Sequence, residues 1–271
     1  MSKLLSKDEY EEPRCLLNMN PSATIPIDRI IEKLDSYLNQ NIYSAAERHL
    51  CYWLLEADAC HDMRGKLTIL NEQIGLYRKI GKKSKCLAAI SDALSLANSM
   101  EIEQSVTYGT TLINAATGYK AFGKAEDALP LYRKAQTIYE TILDSDDSRL
   151  GSLYNNMGTA LTELGIYKEA NDLYHKAIKI MEQQENGSLE VAITYLNLAD
   201  LVAAELGLEE GEKEIEKQLL EAEKLLNSED FVRDGYYAFV CEKCAPVFGY
   251  YGHFLTEREL KERARDIHER T

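Results

Sequence analysis

Asn114, Asn156 and Asn197 recur at nearly regular intervals, each two positions before a small residue: Ala116, Gly158 and Ala199. A carboxamide carries both a hydrogen-bond donor and an acceptor, so it matches a peptide group whatever side chain that peptide bears. Asn155 doubles the signal beside Asn156. The competing reading is that these are solvated or helix-bracing asparagines. One turn further on come Thr117, Thr159 and Asp200, then Lys120, Thr162 and Glu163. An earlier segment supplies Glu72, Arg78 and Lys79 at the corresponding places.

Other chemistries find weaker support. Cys241 and Cys244 form a CEKC pair, but a structural zinc site needs four ligands. On a helix the two would share a face and pack as small apolar groups. The run DSDDS at 144–148 lacks the glycine and terminal glutamate of a calcium loop, and reads as a linker and helix cap. The five histidines are scattered away from any nucleophile motif, and no phosphate-cradling glycine loop is evident. The expectation is a non-enzymatic protein with no cofactor and no metal.

The elements that must position the asparagines follow from the glycines. Gly81, Gly123, Gly165, Gly207 and Gly249 lie 42 residues apart, and a fixed period of this length marks a stacked repeat protein. Residues 70–93, 112–135 and 154–177 align at that spacing without a gap. Each reads as the end of one helix, a glycine turn and the start of a second. Glycine suits the left-handed position that ends a helix. Beyond the turns run buried stripes at helical spacing: Cys86, Ile90, Ala93; Ala128, Tyr132, Ala135; and Ala170, Tyr174, Ala177. The tyrosines are expected to fill space between helices and keep their hydroxyls wet. The fourth unit slips register. Its first helix matches the third at an offset of 41 and its second at 45, so an insertion is expected in the turn GLEEGE, after Gly207. Gly249 and Gly252 then compete as the last turn. At the front Asn41 stands in for glycine, with Ala46, Leu50 and Trp53 as the buried stripe. Pro130 falls inside a second helix and predicts a kink or a late helix start; Pro246 poses the same question. Residues 256–270 read as a capping helix with a polar outer face.

Small residue, aromatic or Leu three later, Gly, then Ala-x3-Tyr-x2-Ala resembles the tetratricopeptide repeat. The 42-residue period resembles its long variety, found in kinesin light chains and many bacterial regulators. The resemblance is strongest over 70–177. It implies an all-α, right-handed superhelical solenoid of about six helix-turn-helix units, with first helices lining a concave groove. It also implies capture of an extended peptide or a partner helix of another protein in that groove, with Asn114, Asn155, Asn156 and Asn197 on backbone groups. Thr117, Thr159, Asp200, Lys120, Lys79 and Arg78 would then tune the choice of side chain. That groove would run from basic near 72–120 to acidic near 160–205. Clamping of a terminal carboxylate would need converging cations, and only Arg78, Lys79 and Lys120 could serve.

The expected organisation is an N-terminal extension over 1–25, disordered or loosely docked at the first unit, with occupation of the groove as the alternative. A single solenoid follows over 26–271, in units near 26–60, 61–100, 103–143, 146–185, 188–227 and 229–271. The net charge of −14 disfavours nucleic acid and anionic membranes as partners. MSKLLSKDEYEEPRC has no apolar core of a leader's length, and no run of 18 apolar residues exists. The expected location is the cytoplasm, where the six cysteines would stay reduced. Self-association as a scaffold, or signalling through a separate effector, are the alternatives to peptide capture.

Overall fold

The structure, a computed structural model, describes residues 24–185, 187–229 and 231–270. The expected behaviour of the first 23 residues lies outside them. Among the described residues there are twelve helices and no strand, in two compact units, and the fold class is an all-α helical repeat solenoid. The first unit, ending at Glu101, holds α1 (Ile27–Asn39), α2 (Tyr43–Ala59), α3 (Met63–Lys79) and α4 (Lys83–Ser99). The second, from Ile102, holds α5 (Val106–Ala121), α6 (Ala125–Ile142), α7 (Ser148–Glu163), α8 (Tyr167–Met181), α9 (Ser188–Leu206), α10 (Leu208–Leu226), α11 (Gly235–Tyr250) and α12 (Phe254–His268).

Most first helices begin at a side-chain cap. Asp62, Ser105, Asp147 and Asp234 accept from the backbone N–H groups of Gly65, Tyr108, Arg149 and Tyr236 in the first turn. Such caps satisfy donors that the helix itself leaves open. The turns within pairs, that between α9 and α10 excepted, close by one device. The N–H after the turn residue reaches back five positions, as from Lys82 to Tyr77 (2.9 Å), Lys124 to Tyr119 (3.1 Å), Ile166 to Leu161 (2.9 Å) and His253 to Phe248 (2.9 Å). This is the Schellman closure, and it requires a left-handed residue in the turn.

The left-handed positions reveal a second period. In the first unit they are Asn41, His61, Gly81 and Glu101, 20 residues apart, so every helix there ends the same way. In the second unit they are Gly123, Gly165, Gly207 and Gly252, one per pair, and the pairs are joined by longer loops. Gly252, with φ 88°, is the last turn; Gly249 lies inside α11. The expected insertion after Gly207 does not bulge the turn. Gly207 alone separates α9 from α10, at φ 82° and ψ 169°, a region open essentially only to glycine. The extra residues lengthen α10 to 19 residues against 15 in α8, and Leu219 and Ala222 are buried at the expected offset of 45. α6 starts at Ala125 and runs through Pro130, so the late start is not observed.

The stripes pack as the cores. Cys86, Ile90, Ala93, Ala128, Tyr132, Ala135, Ala170, Tyr174 and Ala177 are all buried. A fully buried large apolar side chain contributes about 1.5–3 kcal/mol. The tyrosine hydroxyls are not wet. Tyr132 meets the Thr117 hydroxyl at 2.9 Å and Tyr174 meets that of Thr162 at 3.4 Å, so each clasps its own first helix. Cys241 and Cys244 lie in the core of α9–α12, where burial pushes the Cys244 thiol up to about 12. Among the described residues no group of three or more His, Cys, Asp or Glu is placed to hold a metal ion, and no helix is long and apolar enough to cross a membrane.

Candidate functional site

In the second unit α5 touches α7, α7 touches α9 and α9 touches α11, forming a row of first helices. Asn114 lies on α5, Asn155 and Asn156 on α7, and Asn197 on α9. Asn114, Asn156 and Asn197 are all half-buried, whereas Asn155 is buried. Asn197 donates its Nδ2 to Oδ1 of Asn155 at 2.8 Å, tying α9 to α7. The Asn156 carboxamide makes no hydrogen bond with any described residue; only its backbone carbonyl is engaged, by the Thr159 hydroxyl at 2.7 Å.

The charged residues of the row also cross between neighbours. Lys120 at the end of α5 stands 3.4 Å from Glu163 at the end of α7. Tyr251, just past α11, donates to Asp200 of α9 at 2.8 Å, and Tyr236 of α11 donates to Glu190 of α9. Asp200 is solvent-exposed yet crowded by protein atoms. That crowding pushes its carboxyl above the ordinary aspartate value, against the pull of the Tyr251 hydroxyl and the Lys120 charge.

Thr117 is half-buried with its hydroxyl on Tyr132. Arg78 and Lys79 belong to the first unit. They close α3 in the first unit, both exposed, with Lys79 Nζ 5.8 Å from the centre of the Tyr43 ring. Glu72, at the asparagine position of α3, is half-buried; burial, then the charge of Asp35, pushes its carboxyl up. The structure thus brings eight of the ten predicted residues into the second unit and leaves two in the first.

Sequence reasoning passed over Lys243. It lies nine residues before Gly252, as Asn114 lies nine before Gly123 and Asn156 nine before Gly165. It therefore holds the asparagine register on α11. Tyr236, Phe239, Pro246 and Tyr250 are exposed around it. The signal was the turn at Gly252, which the evenly spaced Gly249 obscured.

Residues 150–183, most of α7 and all of α8, match the tetratricopeptide repeat family model. No match is found among curated proteins. Among solved structures the chain is similar to the nearly identical TPR-like repeats of a Podosopora anserina protein assigned as a kinesin light chain. One form of that protein gives a TM-score of 0.52 at 15% identity over 74% of this chain and 94% of that one. A single-residue variant of the same protein gives 0.54 at 16% identity over 76% and 95%. A Rap protein complexed with competence and sporulation factor gives 0.51 at 17% identity, covering 88% of this chain and 73% of that one. At these identities the likeness is one of fold. Residues 150–183 are therefore a tetratricopeptide repeat, and the chain that carries them shares the fold of TPR-like repeat structures.

Proposed function

We propose that the row formed by α5, α7, α9 and α11 captures an extended segment of a partner protein, without catalysis. The fold is that of a protein–protein interaction module; the choice of an extended segment rests on one observation. Asn156 holds a half-buried carboxamide with no partner among the described residues, between neighbours that carry Asn114 and Asn197 at equivalent places. A half-buried carboxamide with no protein partner keeps its donor and its acceptor available, and a ligand's peptide group would match both. Asn155 would act beneath, holding Asn197 in place. Asp200, Lys120 and Thr159 would set which side chains are accepted, and Thr117 would add its methyl while its hydroxyl holds Tyr132. Arg78 and Lys79 would offer cations on the first unit. The Rap protein, which shares the fold, is itself complexed with a factor.

The test is selection of linear peptides from a random library, on the order of a dozen residues long to span the row, by the purified whole chain. The selected peptides should bind the Asn114/Asn156 double alanine variant at least tenfold more weakly, with helicity unchanged. Undiminished binding by that variant removes the asparagines from the site.

A further inference from the structure

Tyr236, Phe239, Lys243, Pro246 and Tyr250 follow one another along α11 at intervals of three and four residues, and all five are exposed. Tyr236 is 41%, Phe239 48% and Tyr250 71% accessible. The Tyr236 and Phe239 rings stack with centres 6.3 Å apart. The same register on α7 is Arg149, Ser152, Asn156, Thr159 and Glu163, and on α5 Thr107, Thr110, Asn114, Thr117 and Ala121. A surface that is polar on α5 and α7 therefore becomes aromatic on α11.

Alternating intervals of three and four are the seam by which one helix packs on another. At 1.5 Å per residue the seam runs about 21 Å, four turns of a partner helix. Lys243 sits at its midpoint, seven residues from Tyr236 and seven from Tyr250. Its ammonium makes no hydrogen bond or ion pair with any described residue. This charge selects the occupant. A second copy of the chain docked by two-fold symmetry would set the same patch against itself. Tyr236 would then oppose Tyr250, and Lys243 would oppose Lys243, two like charges in a seam that excludes water. A helix carrying a carboxylate at the midpoint meets the ammonium instead, with apolar side chains on either side for the aromatic rings.

We infer that α11 docks an amphipathic helix of a partner protein, whose apolar seam is interrupted at its centre by one acidic side chain that pairs with Lys243. The inference shares the row of first helices with the proposed function but uses none of its asparagines, so the two fail separately.

The probe is a fluorescent helical peptide of about 18 residues, long enough to cover the seam, with leucines at the seam positions and one glutamate at the centre. Its control carries lysine there. Anisotropy with the whole chain should show saturable binding of the glutamate peptide, at least tenfold tighter than the lysine peptide. Lys243→Glu should reverse that order. Phe239→Ala and Tyr250→Ala, both at exposed sites, should weaken the glutamate peptide at least fivefold with unchanged circular dichroism. The Asn114/Asn156 double alanine variant should bind it as the parent does. Equal affinity for both peptides, an order unmoved by Lys243→Glu, no saturable binding, or loss in the asparagine variant each overturns the inference. So does a concentration-dependent dimer of the chain that Phe239→Ala abolishes, since the occupant would then be a second copy.

Discussion

Asn197 gives a hydrogen bond to Asn155 across 2.8 Å, joining α9 to α7 between residues one 42-residue period apart. The adjacent Asn156 gives its carboxamide to no described residue. Two neighbouring asparagines on one helix thus have different fates, one bracing the stack and one facing outward. Asn155→Ala should cost about 1–2 kcal/mol of stability, because it leaves the Asn197 donor without its acceptor. Asn197→Ala should cost a similar amount, and the double variant less than the two together. Asn156→Ala should stay within about 0.5 kcal/mol of the parent. Urea denaturation of the four variants gives the comparison; equal losses at 155 and 156 would erase the distinction.

That division is only half legible in the sequence. The period places Asn114, Asn156 and Asn197 on successive first helices, because a helix period and a glycine turn fix which face a residue takes. It does not say that Asn155 reaches across to Asn197, because that depends on how closely two helices approach. The first unit's shorter period stays hidden for a different reason. A search for glycine finds left-handed turns only where glycine fills them, and Asn41, His61 and Glu101 fill three of the four there. The bonded state of the tyrosine hydroxyls escapes the pattern because their threonine partners sit on the preceding helix, outside the stripe that identifies the tyrosines.

Those non-glycine turns are points of stored strain. A left-handed residue with a Cβ costs about 1–2 kcal/mol, while glycine's extra freedom in the unfolded chain returns roughly 0.5–1 kcal/mol of that. His61→Gly and Glu101→Gly should therefore each stabilise the protein, by about 0.5–1 kcal/mol. Thermal melts at one scan rate should show the midpoint rising in both. A falling midpoint would mean that the native side chains make contacts worth more than the strain.

The glycine turns give the opposite sign, and they separate Gly252 from Gly249. Gly252→Ala forces a Cβ into the left-handed region and, net of the entropy that glycine loses on folding, should cost about 0.5–1 kcal/mol. Gly207→Ala should cost more, about 1–3 kcal/mol, because its ψ of 169° lies where alanine is scarcely tolerated. At Gly249 the backbone is helical, and the atoms nearest a new Cβ are the end of the Glu257 side chain, which can swing away. Gly249→Ala should leave stability nearly unchanged. A ranking with Gly249 as the most sensitive of the three would move the last turn back to it.

The second helices are tied by charge. Arg133 of α6 grips Glu169 of α8 through two bonds of 2.7 and 2.9 Å, and this pairing holds the Glu169 carboxyl below its ordinary value. A carboxyl depressed on folding lends stability above its unfolded pKa, and that stability is lost as pH falls through the folded value. Both side chains are substantially exposed, so the pair is worth about 0.2–1 kcal/mol. Glu169→Gln should thus be less stable than the parent near neutral pH, with the gap closing below the ordinary glutamate value of 4.5. A gap that persists unchanged into acid would assign the loss to packing instead.

Thr117 and Thr159 occupy equivalent places in successive repeats, yet their hydroxyls serve different ends. Thr117 meets the hydroxyl of Tyr132, whose side chain is fully buried, while Thr159 bonds the Asn156 carbonyl of its own helix. Thr117→Val keeps the volume and removes the hydroxyl that meets that phenol at 2.9 Å, so the cost is that of a buried hydrogen bond lost, about 1–3 kcal/mol. Thr159→Val removes a local bond to a carbonyl that the helix ladder already serves, and should change stability by no more than about 0.5 kcal/mol. Tyr132→Phe, combined with Thr117→Val, should recover part of the loss, since replacing both partners by apolar groups removes the pair together. A double variant no better than Thr117→Val alone would show that the hydroxyl pair does not carry the effect. The clasp would then be a contact of packing rather than a hydrogen bond that fixes the second helix against the first.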